Sequence, residues 1–530
     1  MRGGRVVAVC AASALVLAVL YLTLPATGSD LSAQVARAGF FADHGPALVD
    51  LRWYGGVHPW GYSLVSPPLM ALLGVRPTGA LTLLALATAF AALLVRTRVP
   101  RPLLGGLVGV LTIAGNLVSG RVTYALGVAF GLAALLALTL PAGATGRARW
   151  SRAVLAGLAA LLASAASPVA GLFVGLAGVS LLLTRRYADG LLIAVPAAAP
   201  LAVTGLLFGE GGWMNISRAD TLHAVVTSLL VAALVAYRPV RVGALLSAAG
   251  VLAAALLHTP VGLNATRLVV MFALPVLAAA ATLPRRPDGA GPAGAARRRR
   301  AAGAVALGAL LAAVCWWQPP VVTADLASRD DPTADPAYFA PLRAELDRRG
   351  LTGRVEVPPT RNYWEAAHLG EAPLARGWLR QADIARNPLF FATVPGASGT
   401  GVPLTADTYR AWLAENAVQY VAVPDAELSW VGRPEAELVR AGLPYLTEVW
   451  SGPHWRLYAV ADPTPLVGAP GELVRQDAAT VTFRAPGPGP VPVRVRHDRW
   501  LTVTGGATLA PDGEWTTVTV PRAGTYTLGG

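Results

Sequence analysis

Eleven apolar runs, separated by arginine-bearing or polar loops, fill the first 317 residues and leave few folds open to this chain. They cover roughly 6–24, 79–95, 103–118, 122–140, 153–166, 168–183, 190–208, 221–237, 242–258, 268–283 and 301–317. A soluble core needs apolar residues at alternating or helical spacing, not unbroken stretches that approach the thickness of bilayer hydrocarbon. The runs predict a polytopic α-helical membrane domain of about 11 spans over residues 1–317, with a long first external loop at about 25–78. Only 14% of residues are charged, against about a quarter in soluble domains.

The loops alternate in charge. Arg96, Arg98 and Arg101 fall in one, and Arg147, Arg149 and Arg152 in another. Arg185 with Arg186, Arg238 with Arg241, and Arg285 and Arg286 with Arg297 to Arg300 fall in three more. Cytoplasmic loops collect basic residues, so these five are assigned to the cytoplasm and the loops between them to the exterior. The stretch 153–183 tests the scheme. As one helix it would be about 46 Å long, against about 30 Å of hydrocarbon. Ser164, Ser167 and Pro168 divide it into two legs, which keeps Arg152 and Arg185 on one side. An internal N-terminus and eleven crossings put the C-terminal part outside. Legs as short as 103–118, 153–166 and 168–183 are of the kind that line cavities.

The chain has no lysine, so its 43 basic residues are all arginine, and its net charge is +13. Membrane orientation accounts for the loop arginines, and no nucleic-acid partner is inferred. Cys10 and Cys315 both lie in predicted spans and offer neither a disulfide framework nor metal spacing.

After Trp316 and Trp317 the composition turns to Pro, Asp, Glu and Arg. Helices are expected at 341–349, 407–416 and 435–441, and strands at 419–423 and 454–460. Together these predict an extracytoplasmic α/β domain over 318–465. Short strands at 479–484, 491–497, 501–504, 515–520 and 525–528, with turns at Gly505-Gly506 and Pro511-Asp512-Gly513, predict a small β-sandwich-like domain over 466–530.

Residues able to do chemistry concentrate in the first loop. Asp30 stands a few residues beyond the first span. Asp43, His44, Asp50, Arg52, Trp53, Tyr54, His58, Trp60 and Tyr62 follow, an assortment of charge and aromatic surface suited to sugar or headgroup contact. The plainer account of Trp60 and Tyr62 is an interfacial aromatic belt, and that of Asp30 is an N-cap for a helix starting at Leu31. Three further loops hold charge close to the membrane: Asn116 to Arg121, Trp213 to Asp220 with Arg218, and Asn264 to Arg267. An arginine near hydrocarbon normally has a partner. A guanidinium matches phosphate bidentately, so Arg121 and Arg267 are candidates for a lipid phosphate; snorkelling to headgroups is the alternative. No GxxxxGK[ST], GxGxxG, HExxH or CxxC occurs, which leaves nucleotide, dinucleotide and zinc-hydrolase chemistry without support.

Asp30 after the first span, the aromatic loop Trp53 to Tyr62, the stretch Arg121-Val122-Thr123-Tyr124-Ala125-Leu126-Gly127 and the stretch Asn264 to Pro275 together resemble the GT-C superfamily of membrane glycosyltransferases. They resemble most its actinobacterial members. Residues 354–387 and 409–460 resemble the exterior domain of those proteins. The resemblance implies a plasma-membrane enzyme that moves a sugar, with inversion, from a polyprenyl-phosphate donor to a cell-envelope glycan or lipid acceptor. It implies Asp30 as general base, with Arg121, Arg267 and Arg218 at the donor phosphate and Tyr124 among the substrate contacts. The family often places two acidic residues together in this loop. Here Ser29 precedes Asp30, so Asp43 or Asp50 would have to serve as the second, and metal use, a divalent cation, stays open. Tyr363, Trp364, His368, Arg376, Trp378 and Arg380 are candidate acceptor contacts; packing of the α/β core is the alternative for each. Two other readings remain: a transporter, although no matching halves with broken helices are evident, and a non-catalytic envelope-assembly protein.

Overall fold

The computed structural model describes residues 3–141, 146–283, 293–394, 396–397 and 401–530, with the backbone alone at 293–300. Arg285 and Arg286 lie outside the described residues, as do the side chains of Arg297 to Arg300. Two compact units divide the chain. One comprises Met1–Gly28, Ser63–Leu206 and Asn215–Arg329; the other comprises Ser29–Tyr62, Leu207–Met214 and Asp330–Gly530. Most of the first loop thus belongs to the same unit as the C-terminal 200 residues.

The first unit is helical, and each of the eleven apolar runs lies on a helix. Among the described residues five helices are long and apolar enough to cross a membrane: Gly3–Thr23, Val75–Arg96, Tyr187–Phe208, Arg238–Leu256 and Gly262–Ala280. The apolar helices Pro102–Val118, Val122–Leu138, Pro168–Leu183 and Ala301–Trp317 are shorter. The 153–183 stretch is two helices, Gly146–Ala166 and Pro168–Leu183. Ser167 parts them in an extended conformation. Its hydroxyl accepts from the Ala170 amide, and Pro168 opens the second helix, where its missing N–H costs nothing.

Loop arginines gather at one end of this unit and close helix C-termini. Arg101 donates from Nε to Ala278 O (2.8 Å) and from Nη2 to Ala281 O (2.6 Å). Arg152 donates to Leu138 O (3.0 Å) and Arg241 to Ala232 O (2.9 Å). A C-terminal turn has unpaired carbonyls and a partial negative charge, so a guanidinium satisfies both. Asp189 then takes Arg152 at 2.5 Å and Arg186 at 2.7 Å, which brings the end of the helical hairpin back to its start. Thr282 N donates to Leu234 O at 2.7 Å. Loops near residues 100, 150, 186, 236 and 281 therefore share one end.

The second unit begins with a mixed sheet of β1 (Arg354–Glu356), β2 (Val418–Pro424), β3 (Leu446–Ser451) and β4 (Trp455–Val460), in the order β1-β2-β4-β3. The β1–β2 pair is parallel and the other pairs antiparallel. Helices Ala406–Glu415 and Gly432–Arg440 bury Tyr409, Trp412, Leu413, Ala436 and Val439 against Val418, Val421 and Val423 of β2. β2, β4 and the three helices stand where the sequence pattern predicts them; β1 and β3 were not expected.

The C-terminal region adds β5 (Glu472–Gln476), β6 (Thr480–Ala485), β7 (Gly489–Arg496), β8 (Thr502–Val503), β9 (Thr508–Asp512), β10 (Trp515–Val520) and β11 (Gly524–Gly529). They form two antiparallel sheets, β7-β10-β9 and β5-β6-β11-β8. Val491, Val493, Val495, Val518 and Val520 of one sheet and Val481, Phe483, Tyr526 and Leu528 of the other share one hydrophobic cluster. Gly505 turns the chain at φ +73°, where an added Cβ would lie 2.8 Å from the Tyr526 ring, so the turn admits no larger residue.

Candidate functional site

Helix Leu31–His44 organises the first loop. Asp30 occupies its N-cap position and is 8% exposed. Its backbone is α-like (φ −102°, ψ −7°), and its side chain makes no capping hydrogen bond; capping residues are normally extended, which aims the carboxylate back at the first turn. Gln34 and Arg37 follow at i+4 and i+7, on the same helical face. Gln34 Nε2 donates to Tyr62 Oη at 3.0 Å. The Arg37 guanidinium lies 3.8 Å from the Tyr62 ring centroid and 5.6 Å from that of Trp53. Arg37 is 4% exposed, and its Nε and Nη2 are buried without hydrogen-bond partners. Burial pushes its pKa below the ordinary arginine value.

The other expected loop residues divide into exposed and internally paired groups. Asp43 is exposed. His44 Nε2 is 3.2 Å from Glu371. Asp50 and Arg52 form a buried ion pair at 2.7 Å, and Arg52 also donates to Ala36 O at 3.0 Å. Trp53 is 1% exposed, and Tyr54 donates to Gly377 O at 2.6 Å. His58 sits between Glu210 (3.2 Å) and Asp498 (3.1 Å), and Glu210 also takes Arg386 at 2.8 Å. Burial alone would lower the His58 pKa, but the two carboxylates outweigh it and raise it. Trp60 Nε1 donates to Ala47 O at 3.1 Å. Tyr62 keeps part of its surface and meets Trp378 edge-on, with centroids 6.2 Å apart. Trp378 Nε1 donates to Ser29 O at 3.0 Å.

The candidate acceptor residues are similarly split. Arg376 is 3% exposed, with Asp383 at 2.9 Å, Glu435 at 3.0 Å and Glu356 at 3.7 Å. Trp364 is buried and stacks on His368 at 4.9 Å. These three pack the α/β core. Tyr363 is buried at φ +59° and accepts from Arg380 at 2.8 Å. Trp378 and Arg380 retain accessible surface.

In the helical unit Arg121 precedes helix Val122–Leu138, and Arg267 opens helix Arg267–Ala280. Both line a cavity of about 10 Å³ with Thr112, Asn116 and Ser119, room for about one water. Arg267 also lies 5.5 Å from the Tyr124 ring centroid. Tyr124 in turn lines a second cavity of about 650 Å³, walled almost wholly by apolar side chains such as Phe90, Leu132, Phe173, Val231 and Phe272. Arg218 stands exposed at the start of helix Arg218–Leu234 and lines neither cavity. Gly28 (φ +108°) abuts the turn that leads into Arg121; an added Cβ there would come within 2.4 Å of Ser119 C and Val118 O. Ser119 donates to the buried Asp325 at 2.6 Å.

Among the described residues no group of three or more His, Cys, Asp or Glu side chains is arranged to hold a metal. The second acidic residue that a cation would need beside Asp30 is not supplied by Asp43, which is exposed, or by Asp50, which is taken by Arg52.

No family model matches the chain, and no curated protein matches it. Solved structures similar to it include the arabinofuranosyltransferase AftD from Mycobacteria, at 18% identity and a TM-score of 0.47 over 92% of this chain. The chain spans about two fifths of the AftD chain, 41%. ArnT from Cupriavidus metallidurans in its apo state matches at 14% identity and a TM-score of 0.46, over 86% of this chain and 99% of its own. The same protein bound to undecaprenyl phosphate matches at a TM-score of 0.39. Neither likeness bears on what this chain binds or transfers.

Gln34, Arg37 and Asp325 were not among the expected site residues. The first two carry a signal, the i, i+4, i+7 spacing from Asp30. Asp325 carries none, because its partner Ser119 is about 200 residues away.

Proposed function

We propose that the chain is a multi-pass membrane glycosyltransferase of GT-C type, working at the plasma membrane with its C-terminal unit and β-sandwich-like end outside. It moves a sugar from a polyprenyl-phosphate donor to a cell-envelope glycan or lipid. The observation that carries this reading is Tyr124. One residue both walls an apolar space of about 650 Å³ and lies against the guanidinium of Arg267, which shares a water-sized cavity with Arg121. An apolar hollow beside two cations suits a ligand with a hydrocarbon tail and an anionic head.

The roles follow from the chemistry. The acceptor hydroxyl oxygen attacks the anomeric carbon, the bond from that carbon to the phosphate oxygen breaks, and the configuration inverts. Asp30 takes the hydroxyl proton as general base. The departing polyprenyl phosphate is already a stable anion and needs charge stabilisation rather than a proton, which Arg121 and Arg267 supply. Arg218 has no part in holding the phosphate under this reading. Trp378 and Arg380 are the acceptor contacts with surface to offer.

Binding of a polyprenyl phosphate to the purified protein in nanodiscs tests the proposal. Arg267→Gln is expected to weaken binding at least tenfold for both a long-chain and a short-chain phosphate. Gly243→Leu projects into the apolar cavity, where an added Cβ sits 3.6 Å from its nearest neighbour. It is expected to weaken only the long-chain ligand. Unchanged affinity in both variants rejects the assignment.

A further inference from the structure

We infer that the face of helix Leu31–His44 carrying Asp30, Gln34 and Arg37, together with Tyr62 and Trp378, is a subsite for one sugar residue of the acceptor. Asp30 and Arg37 are seven residues apart, about 10 Å along a helix, a distance that one furanose or pyranose ring with its hydroxyls fills. Gln34 lies midway, already fixed by its bond to Tyr62 Oη at 3.0 Å. Tyr62 and Trp378, edge-on to each other and both partly accessible, supply aromatic surface for the C–H faces of a sugar.

Arg37 carries the argument. A buried guanidinium ordinarily makes several hydrogen bonds, because a donor left unpaired away from water loses its hydration with nothing in return, and a charged one loses most. Arg37 has Nε and Nη2 buried and unpaired, and Trp53 Nε1 beside it is unpaired as well. The neighbouring carboxylates are engaged elsewhere: Asp50 by Arg52, and Glu210 by His58 and Arg386. The Tyr62 and Trp53 rings lie against the guanidinium and add to the more distant pull of Asp50 and Glu210. Donors held ready by a fixed aromatic bed, on the helical face that starts at the candidate base, are suited to sugar oxygens.

This subsite rests on the glycosyltransferase reading, but its test does not. The full-length protein in nanodiscs is titrated, by tryptophan fluorescence, with a panel of neutral pentose and hexose tetrasaccharides and separately with inorganic phosphate. Saturable binding of at least one oligosaccharide is expected, weakened at least tenfold by Arg37→Met and by Tyr62→Ala. Because Nε and Nη2 of Arg37 have no hydrogen-bond partner among the described residues, Arg37→Met is expected to keep or raise the melting temperature, since an apolar replacement of a buried charge is often stabilising. A fall in melting temperature with loss of binding would mark Arg37 as structural and overturn the inference. So would binding by phosphate alone, binding unaffected by either variant, or no binding by any member of the panel. Arg37-dependent oligosaccharide binding without sugar transfer by the native protein would instead reject the glycosyltransferase reading and leave the subsite standing.

Discussion

At the scale of single residues, Asp30 combines burial with a poor capping geometry. A carboxylate placed to stabilise the helix would sit in an extended conformation and accept from the first turn; this one does neither. Asparagine is isosteric, and the Asp30 side chain has no capping hydrogen bond to lose, so Asp30→Asn is expected to shift the melting temperature by less than about 2 °C. Sugar transfer is expected to fall about 10²–10⁴-fold, the usual worth of a general base. Transfer assays on reconstituted protein, run beside thermal melts, check both; retained transfer would remove Asp30 from the mechanism. The position of Asp30 was legible in the sequence because a carboxylate directly after a membrane span is conspicuous. Arg37 was not: in sequence it is one charge among several in a long loop, and only the fold shows that Tyr62 and Trp53 take the place of a counter-ion.

Whole elements were legible where they obey a period and illegible where their buried positions are charged. β2 reads as a strand from its apolar run. β1 does not, because Arg354 and Glu356 are both buried in it. Their burial is made tolerable by other elements: Arg354 donates to Asn416 O at 2.8 Å, and Arg376 faces Glu356, Asp383 from helix Arg380–Arg386 and Glu435 from helix Gly432–Arg440. Three carboxylates around one guanidinium leave an excess of negative charge. Desolvation, with Glu435 adding repulsion, pushes the Glu356 carboxyl well above its ordinary range, which favours its protonated form. A carboxylate whose folded pKa is raised contributes stability below its unfolded pKa of 4.5 and loses it as pH rises through the folded value. Glu356→Gln mimics the protonated form at every pH. Melting curves are therefore expected to coincide with native protein below pH 4.5 and to lie several degrees higher for the variant near pH 9. A uniform loss of stability at both pH values would show that Glu356 is needed as an anion. β5 and β9 escaped the sequence reading for a related reason: β9 contains Pro511 and both are short and largely exposed, which leaves little alternation to detect.

For the molecule as a whole, the arginine loops carry the expectation of orientation. Positive charge was expected to gather on one side of the membrane, and the structure adds what those arginines do there: Arg101, Arg152 and Arg241 satisfy the carbonyl ends of three helices. The residues expected to set topology thus also finish the helices, and neutralising one is expected to disturb both. The break at Ser167 matters to this count, because one leg in place of two would have sent every later loop to the other face. Contacts of Asp189 with Arg152 and Arg186 show that the hairpin returns to its starting end. Orientation can then be tested with single cysteines in a background of Cys10→Ala and Cys315→Ala. Ser151→Cys and Tyr187→Cys lie at the arginine end and are exposed, and Val474→Cys is 55% exposed in the C-terminal region. A membrane-impermeant maleimide applied to intact cells is expected to label Val474→Cys and to reach the other two only after permeabilisation. The opposite pattern would put the C-terminal unit in the cytoplasm, where an acceptor in the cell envelope is out of reach. Labelling of Ser151→Cys without Tyr187→Cys would mean that the hairpin crosses only once, and the orientation of every later loop would reverse.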